Sequence, residues 1–81
     1  MKKKKAIKKL VSLGFRPTKC NKTGNSYMIN NDYNWKHVIL DFDAFKQKYI
    51  YYHSQTLFNN RKIAILFETY KELFEYIESD L

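Results

Sequence analysis

The side chains in this sequence most able to do chemistry are lysines, and they are concentrated near the start of the chain. Nine basic and no acidic residues occupy the first 22 positions, whereas five acidic residues and one basic residue occupy the last nineteen. The positions between them hold five basic and three acidic residues, so net charge runs from +9 through +2 to −4. A region rich in ammonium groups attracts phosphate and other anions. The chemistry that this pattern predicts is therefore the binding of an anionic partner.

The first lysines are the predicted contacts to a phosphate backbone. They are Lys2, Lys3, Lys4, Lys5, Lys8 and Lys9. Thirteen of the fifteen basic residues are Lys, whose point charge on a flexible stem suits diffuse phosphate attraction better than bidentate base reading. We therefore expect binding with little sequence preference.

Two other interpretations of the lysines stay open. Lys, Asn, Ile, Tyr and Phe have AT-rich codons, so a low-GC genome alone can produce a high total charge. The lysines can also pair with acidic side chains across the fold, namely Glu68, Glu72, Glu75 and Glu78. Exposed ion pairs contribute about 0 to 1 kcal/mol each.

Catalytic chemistry has little support in the sequence. His37, His53 and Cys20 are too few and too scattered along the chain for a recognisable zinc pattern. Asp41 and Asp43 fall in a predicted turn, where Asp favours local backbone hydrogen bonds. The sequence therefore predicts no enzyme, no metal and no cofactor.

A cytoplasmic protein is expected, in the host cytoplasm if a phage encodes it. The single cysteine excludes a disulfide within the chain, which favours a reducing compartment. Lys8 and Lys9 interrupt a start that otherwise resembles a signal peptide. No run approaches the roughly 18 apolar residues of a membrane span. A basic amphipathic helix can also bind a membrane surface, but the apolar stripe of the first helix is short and has no aromatic anchor before Phe15, so no membrane partner is expected.

The lysines are positioned by a predicted helix from Lys2 to Leu13. Its apolar stripe contains Ala6, Ile7, Leu10 and Val11, and Gly14 is a suitable residue just after its end. A hairpin is predicted next, in which the strands Pro17 to Asn21 and Ser26 to Asn30 flank the turn Lys22-Thr23-Gly24-Asn25.

Three further strands are predicted after a break at residues 30–34. Trp35 to Phe42 alternates, with Val38, Leu40 and Phe42 on one face and Trp35, His37, Ile39 and Asp41 on the other. Residues 41–44 are expected to turn the chain back. Phe45 to His53 fits a helix or a strand, and its β propensity favours a strand. Residues 59–60 then turn into a strand from Arg61 to Phe67.

The last predicted element is a helix that begins with a capping box. Thr69 and Glu72 form the box, and Tyr70, Leu73, Phe74 and Ile77 form its apolar stripe. The sequence therefore predicts a single α+β domain over residues 1–81, with an N-terminal helix, an antiparallel sheet of four or five strands and a C-terminal helix.

A sheet covered by helices on one side leaves its other face open. The residues predicted there as nucleic-acid contacts are Trp35, Lys46, Lys48, Tyr52 and Lys62. Rings among lysines are typical of platforms on which single-stranded bases stack. The membership of this face is left open, because Tyr49 and Tyr51 can point outward instead, and aromatic residues also cover sheets for packing alone.

Two functions follow as hypotheses. The first is a non-enzymatic small basic protein that contacts nucleic acid or a nucleoprotein through its Lys-rich helix, with the aromatic sheet face as a second contact. The alternative is a protein-interaction module, such as a small phage-encoded inhibitor of a host defence protein of the anti-CRISPR type. The sequence leaves the oligomeric state open.

Overall fold

The computed structural model describes residues 1–19, 24–30, 33–58 and 60–81. Along the chain it has one helix, then five strands, then a second helix. The elements are α1 (Lys3–Ser12), β1 (Arg16–Pro17), β2 (Ser26–Asn30), β3 (Asn34–Ala44), β4 (Gln47–Thr56), β5 (Arg61–Phe67) and α2 (Tyr70–Asp80). The predicted α+β fold is confirmed.

The strands form one antiparallel sheet in which neighbours in sequence are neighbours in space. Val38 of β3 lies between Tyr27 of β2 and Tyr52 of β4, and Ile65 of β5 faces Tyr52 on the other side. Because side chains alternate along a strand, this register sends one set of residues from every strand to the same face.

Both helices cover that face and form the core with it. From α1 come Ala6 and Leu10, from α2 come Leu73, Phe74 and Ile77, and the sheet contributes Tyr27, Val38, Leu40, Ile50, Tyr52 and Phe67. The other face of the sheet is covered by no element of the described chain. We call it the open face.

Local sequence signals set the ends of both helices. Gly14 follows α1 with a φ of +104°, a conformation that glycine adopts at little cost, and the chain then turns Phe15 into the core. At the start of α2 the Thr69 hydroxyl accepts a hydrogen bond of 3.2 Å from the backbone N–H of Glu72. Both predicted helices are confirmed.

The predicted turn at residues 41–44 is wrong. A bulge between Ile39 and Phe42 places Asp41 at a φ of +52°, after which β3 continues to Ala44. The chain reverses instead at Phe45 and Lys46, and β4 begins at Gln47. The predicted strand character of the segment after the turn is confirmed.

The bulge also corrects the predicted faces of β3. An inserted residue shifts the alternation, so Phe42 leaves the side of Val38 and Leu40 and pairs with Tyr49 on the open face. Asp41 turns toward the helices and lies 3.2 Å from the ammonium group of Lys3. A bulge of this kind has no clear signal in the alternation of the sequence.

The first strand is shorter in the described residues than the prediction from Pro17 to Asn21. The end of that predicted strand and parts of three predicted turns lie outside the described residues, namely Cys20, Asn21, Lys22, Thr23, Asn31, Asp32 and Asn59. Among the residues that are described, no helix has the length and apolar character needed to cross a membrane.

Candidate nucleic-acid interface

Four exposed lysines lie on the solvent side of α1 and at its N-cap position, namely Lys2, Lys4, Lys5 and Lys8. They lie away from the buried residues Ala6 and Leu10, as the helical spacing predicts. Their side chains border one shallow surface depression of about 500 Å³. Within the described parts of the chain, no carboxylate forms an ion pair with any of the four. We call this group the lysine face.

The other two N-terminal lysines are engaged within the fold. Lys3 pairs with Asp41 at 3.2 Å, and Lys9 pairs with Glu78 at 3.4 Å while its ammonium group lies 4.6 Å from the centre of the Phe74 ring. Of the four glutamates considered as partners from the sequence, only Glu78 is paired with a lysine of α1 among the described residues. Ion pairs within the fold therefore neutralise two of the six N-terminal lysines.

The lysine face lowers the stability of its own helix. Lys4 and Lys8 are four residues apart, and like charges at that spacing repel by a few tenths of a kcal/mol. The first turn contains no acidic residue, and Lys2 at the N-cap position makes no side-chain cap. Positive charge at a helix N-terminus also opposes the helix dipole. A bound polyanion would relieve all of these repulsions.

The open face carries a continuous row of aromatic side chains across β3 and β4. The Trp35 and His53 rings meet edge to face at 4.6 Å, His53 lies 6.2 Å from Tyr51, and Tyr51 lies 5.1 Å from Phe42. All four residues are half-buried. We call Trp35, His53, Tyr51 and Phe42 the aromatic row.

Two histidines are directly opposite each other on the open face. His37 of β3 pairs in register with His53 of β4, and a hydrogen bond of 2.6 Å joins His37 Nε2 to the Ser26 hydroxyl. Burial lowers the pKa of His37, and the neighbouring His53 lowers it further. Burial and then Lys62 lower the pKa of His53. Both shifts favour the neutral form of the ring.

The predicted contacts from β4 are placed differently from expectation. Tyr52 is fully buried on the helix side, so the prediction that it lies on the open face is wrong. Its pKa is raised by burial and by its hydrogen bond to Asp80. Lys48 shares the side of Ile50, and Lys46 is exposed in the turn. The residues of β4 that point to the open face are therefore not those that the favoured interpretation of the sequence assigned to it. The structure matches the alternative interpretation, in which Tyr49 and Tyr51 point outward.

Two predicted contacts do lie on the open face. Trp35 belongs to the aromatic row, and Lys62 of β5 pairs with Gln55, the residue beside Trp35, where it is exposed. Sequence reasoning missed the contribution of Phe42 and His53, and it placed Tyr51 on this face only in the alternative interpretation of β4. The signal that would have found them is the position of the β3–β4 turn, because that turn fixes which residues are opposite each other.

The lysine face and the aromatic row are on opposite sides of the sheet. The buried residues of α1 pack on the side of Val38 and Leu40, whereas Trp35 and Tyr51 point away from it. The structure therefore does not combine the predicted contacts into a single surface. A ligand reaches one set without contacting the other.

The described residues contain no group of three or more His, Cys, Asp or Glu side chains that could hold a metal ion. Comparison with known proteins gives no family model, no curated protein and no solved structure that matches this chain. The functional argument therefore depends on the surfaces themselves.

Proposed function

We propose that this protein binds nucleic acid, or a nucleoprotein through its nucleic acid, without catalysing a reaction. The observation that carries the proposal is the lysine face, four exposed ammonium groups that lack an acidic partner in the described chain. Phosphate groups are the anions that such a surface meets in a regular array along a nucleic-acid backbone.

The energetic cost of the lysine face supports this proposal. A helix that serves only to cover the sheet would be more stable with an acidic residue in its first turn. Attraction of Lys4 and Lys8 to a phosphate backbone offsets the repulsion between them, and binding releases the counterions condensed on the nucleic acid. Because these contacts are made by lysines, we expect little discrimination between base sequences.

The test is the salt dependence of binding to a fluorescently labelled DNA duplex. Each phosphate contact contributes about −0.9 to the slope of log affinity against log salt, so four contacts give a slope of roughly −3 to −4. Replacement of Lys2, Lys4, Lys5 and Lys8 by Gln should weaken binding at low salt and remove most of that slope.

A charge-matched variant controls for net charge. Replacement of Lys19, Lys46, Lys48 and Lys71 by Gln lowers net charge equally, and all four residues are exposed outside α1. We expect this variant to keep most of the salt slope. Equal losses in the two variants, or no binding by the wild-type protein at low salt, would refute a specific role for the lysine face.

A second candidate function is supported by apolar residues at one end of the sheet. Leu57 and Phe58 are 59% and 75% exposed, and the Phe58 ring lies 4.5 Å from the ring of Tyr33. Exposed apolar clusters are typical of protein-interaction sites. If the protein inhibits a larger host protein, it should capture one partner protein even after nuclease treatment. The double variant Leu57→Ser with Phe58→Ser should abolish that capture.

A further inference from the structure

We infer that the open face is a second binding site, which takes the unpaired bases of a single-stranded nucleic acid on the aromatic row. This inference rests on the proposed function for the class of partner, but it concerns residues on the opposite side of the sheet from the lysine face. It assigns different chemistry to the two sides of the molecule, phosphate contacts to α1 and base stacking to the sheet.

The aromatic row is chemically better suited to binding bases than to binding an aliphatic protein surface. Trp35, Tyr51 and Phe42 supply aromatic rings, and His53 joins them through ring contacts of 4.6 and 6.2 Å. Every base has a π-face, so stacking on such rings is tolerant of sequence. This tolerance agrees with the weak base discrimination expected of the lysines.

The charge of the open face is complementary to a phosphate backbone. The strand positions that point to this side include the exposed ammonium group of Lys62 and no carboxylate among the described residues. The carboxylates of β3 are turned the other way, since Asp41 contacts Lys3 and Asp43 pairs in register with Lys48. An anionic strand therefore meets no like charge on this face.

Geometry favours a single strand over a duplex. Tyr51 and His53 are two residues apart on one strand, and the centres of their rings are 6.2 Å apart. Neighbouring bases in a duplex are about 3.4 Å apart along each strand, so bases that reach both rings must be unstacked. A duplex keeps its base faces covered, whereas single strands present them to aromatic side chains.

Trp35 provides a direct measurement, because it is the single tryptophan of the chain. The wild-type protein is titrated at low salt with a short oligothymidylate and with a duplex of equal length, and tryptophan fluorescence is followed. We expect strong quenching by the single strand and little by the duplex. Absence of quenching by the single strand, under conditions where the labelled duplex binds, would overturn the inference.

Tyr51→Leu tests the row while Trp35 remains as the reporter. Loss of one stacked base should lower affinity for oligothymidylate about five-fold or more. Phe45→Ala is the matched control, since it removes an aromatic ring that is fully exposed at the β3–β4 turn, and its affinity should equal that of the wild type. Circular dichroism confirms that each variant is folded. Equal affinity of Tyr51→Leu and wild type would contradict stacking on the row.

The two proposals fail independently. If the Gln variant of the lysine face loses its salt slope yet still shows quenching of Trp35, the sheet site stands on its own. If the wild-type protein shows salt-dependent duplex binding but no quenching, the sheet site is wrong and the lysine face is retained. A blue shift of Trp35 fluorescence that appears with protein concentration, together with a dimer in sedimentation, would instead identify the open face as a contact between two copies and overturn the inference.

Discussion

Lys36 and Asp80 form a largely buried ion pair that joins the central strand of the sheet to the last turn of α2. The Lys36 ammonium nitrogen lies 3.5 Å from Asp80 Oδ2, and the two side chains are 12% and 9% exposed. The Tyr52 hydroxyl donates a hydrogen bond to the same carboxylate. Asp80 thus has two partners beneath the helix layer, and it fixes the end of α2 against β3 and β4.

Asp80→Ala should lower the free energy of unfolding by about 3 kcal/mol, because it leaves the ammonium group of Lys36 without its partner in a poorly solvated place. The measurement is the urea midpoint together with the slope of the transition. A double variant, Lys36→Met with Asp80→Asn, removes both charges and keeps an acceptor for the Tyr52 hydroxyl. It should be closer to the wild type than Asp80→Ala is. If the single and double variants are equally unstable, the cost comes from lost packing and not from an unpaired charge.

The β3–β4 turn uses residues that are poorly suited to its backbone. Phe45 and Lys46 have φ values of +58° and +66°, a conformation that costs most non-glycine residues about 1 kcal/mol or more. Asn-Gly is the preferred pair for a two-residue turn with two positive φ values. Replacement of Phe45 by Asn and Lys46 by Gly should therefore raise stability by about 1 kcal/mol.

The control for this prediction is Phe45→Ala. The Phe45 side chain is 101% exposed, so its removal loses no packing, and alanine keeps a β-carbon at the strained position. Its urea midpoint should match that of the wild type. A midpoint for the Asn-Gly variant no higher than that of Phe45→Ala would mean that the turn stores no relievable strain.

This turn also marks the limit of what the sequence predicted. Helix α1, helix α2 and β5 were predictable because each has a strong period and clear boundary residues, such as Gly14 and Thr69. The β3–β4 hairpin was not predictable, because Phe45 and Lys46 are not residue types that favour turns and no sequence pattern indicates the bulge at Asp41. If the position of the turn is not known, the sequence does not determine which alternate residues of β4 point to the open face. That ambiguity assigned Tyr52 to the open face, kept Tyr51 there only as an alternative and left out His53.

Stability should fall on mild acidification because of the two histidines on the open face. His37 and His53 both have a folded-state pKa below the ordinary value of 6.5, with burial as the main cause. The groups that face them include Lys62, the Ser26 hydroxyl and the Trp35 ring. The unfolded chain therefore binds more protons than the folded chain as pH falls through 6.5. Their contribution to stability is complete above that pH and is lost below it.

Urea midpoints of the wild type at about pH 7.5 and about pH 5.5 measure this loss, in a window above the usual titration of Asp and Glu. The variant His37→Gln with His53→Gln cannot titrate there, so its midpoint should change less between the two pH values. The comparison uses the change within each protein, which separates titration from any packing that the glutamines alter. An equal change in both proteins would show that these histidines are not the groups that take up the protons. In that case burial on the open face would be too slight to exclude water from the rings, and His37 and His53 would ionise in the folded protein as they do in the unfolded chain.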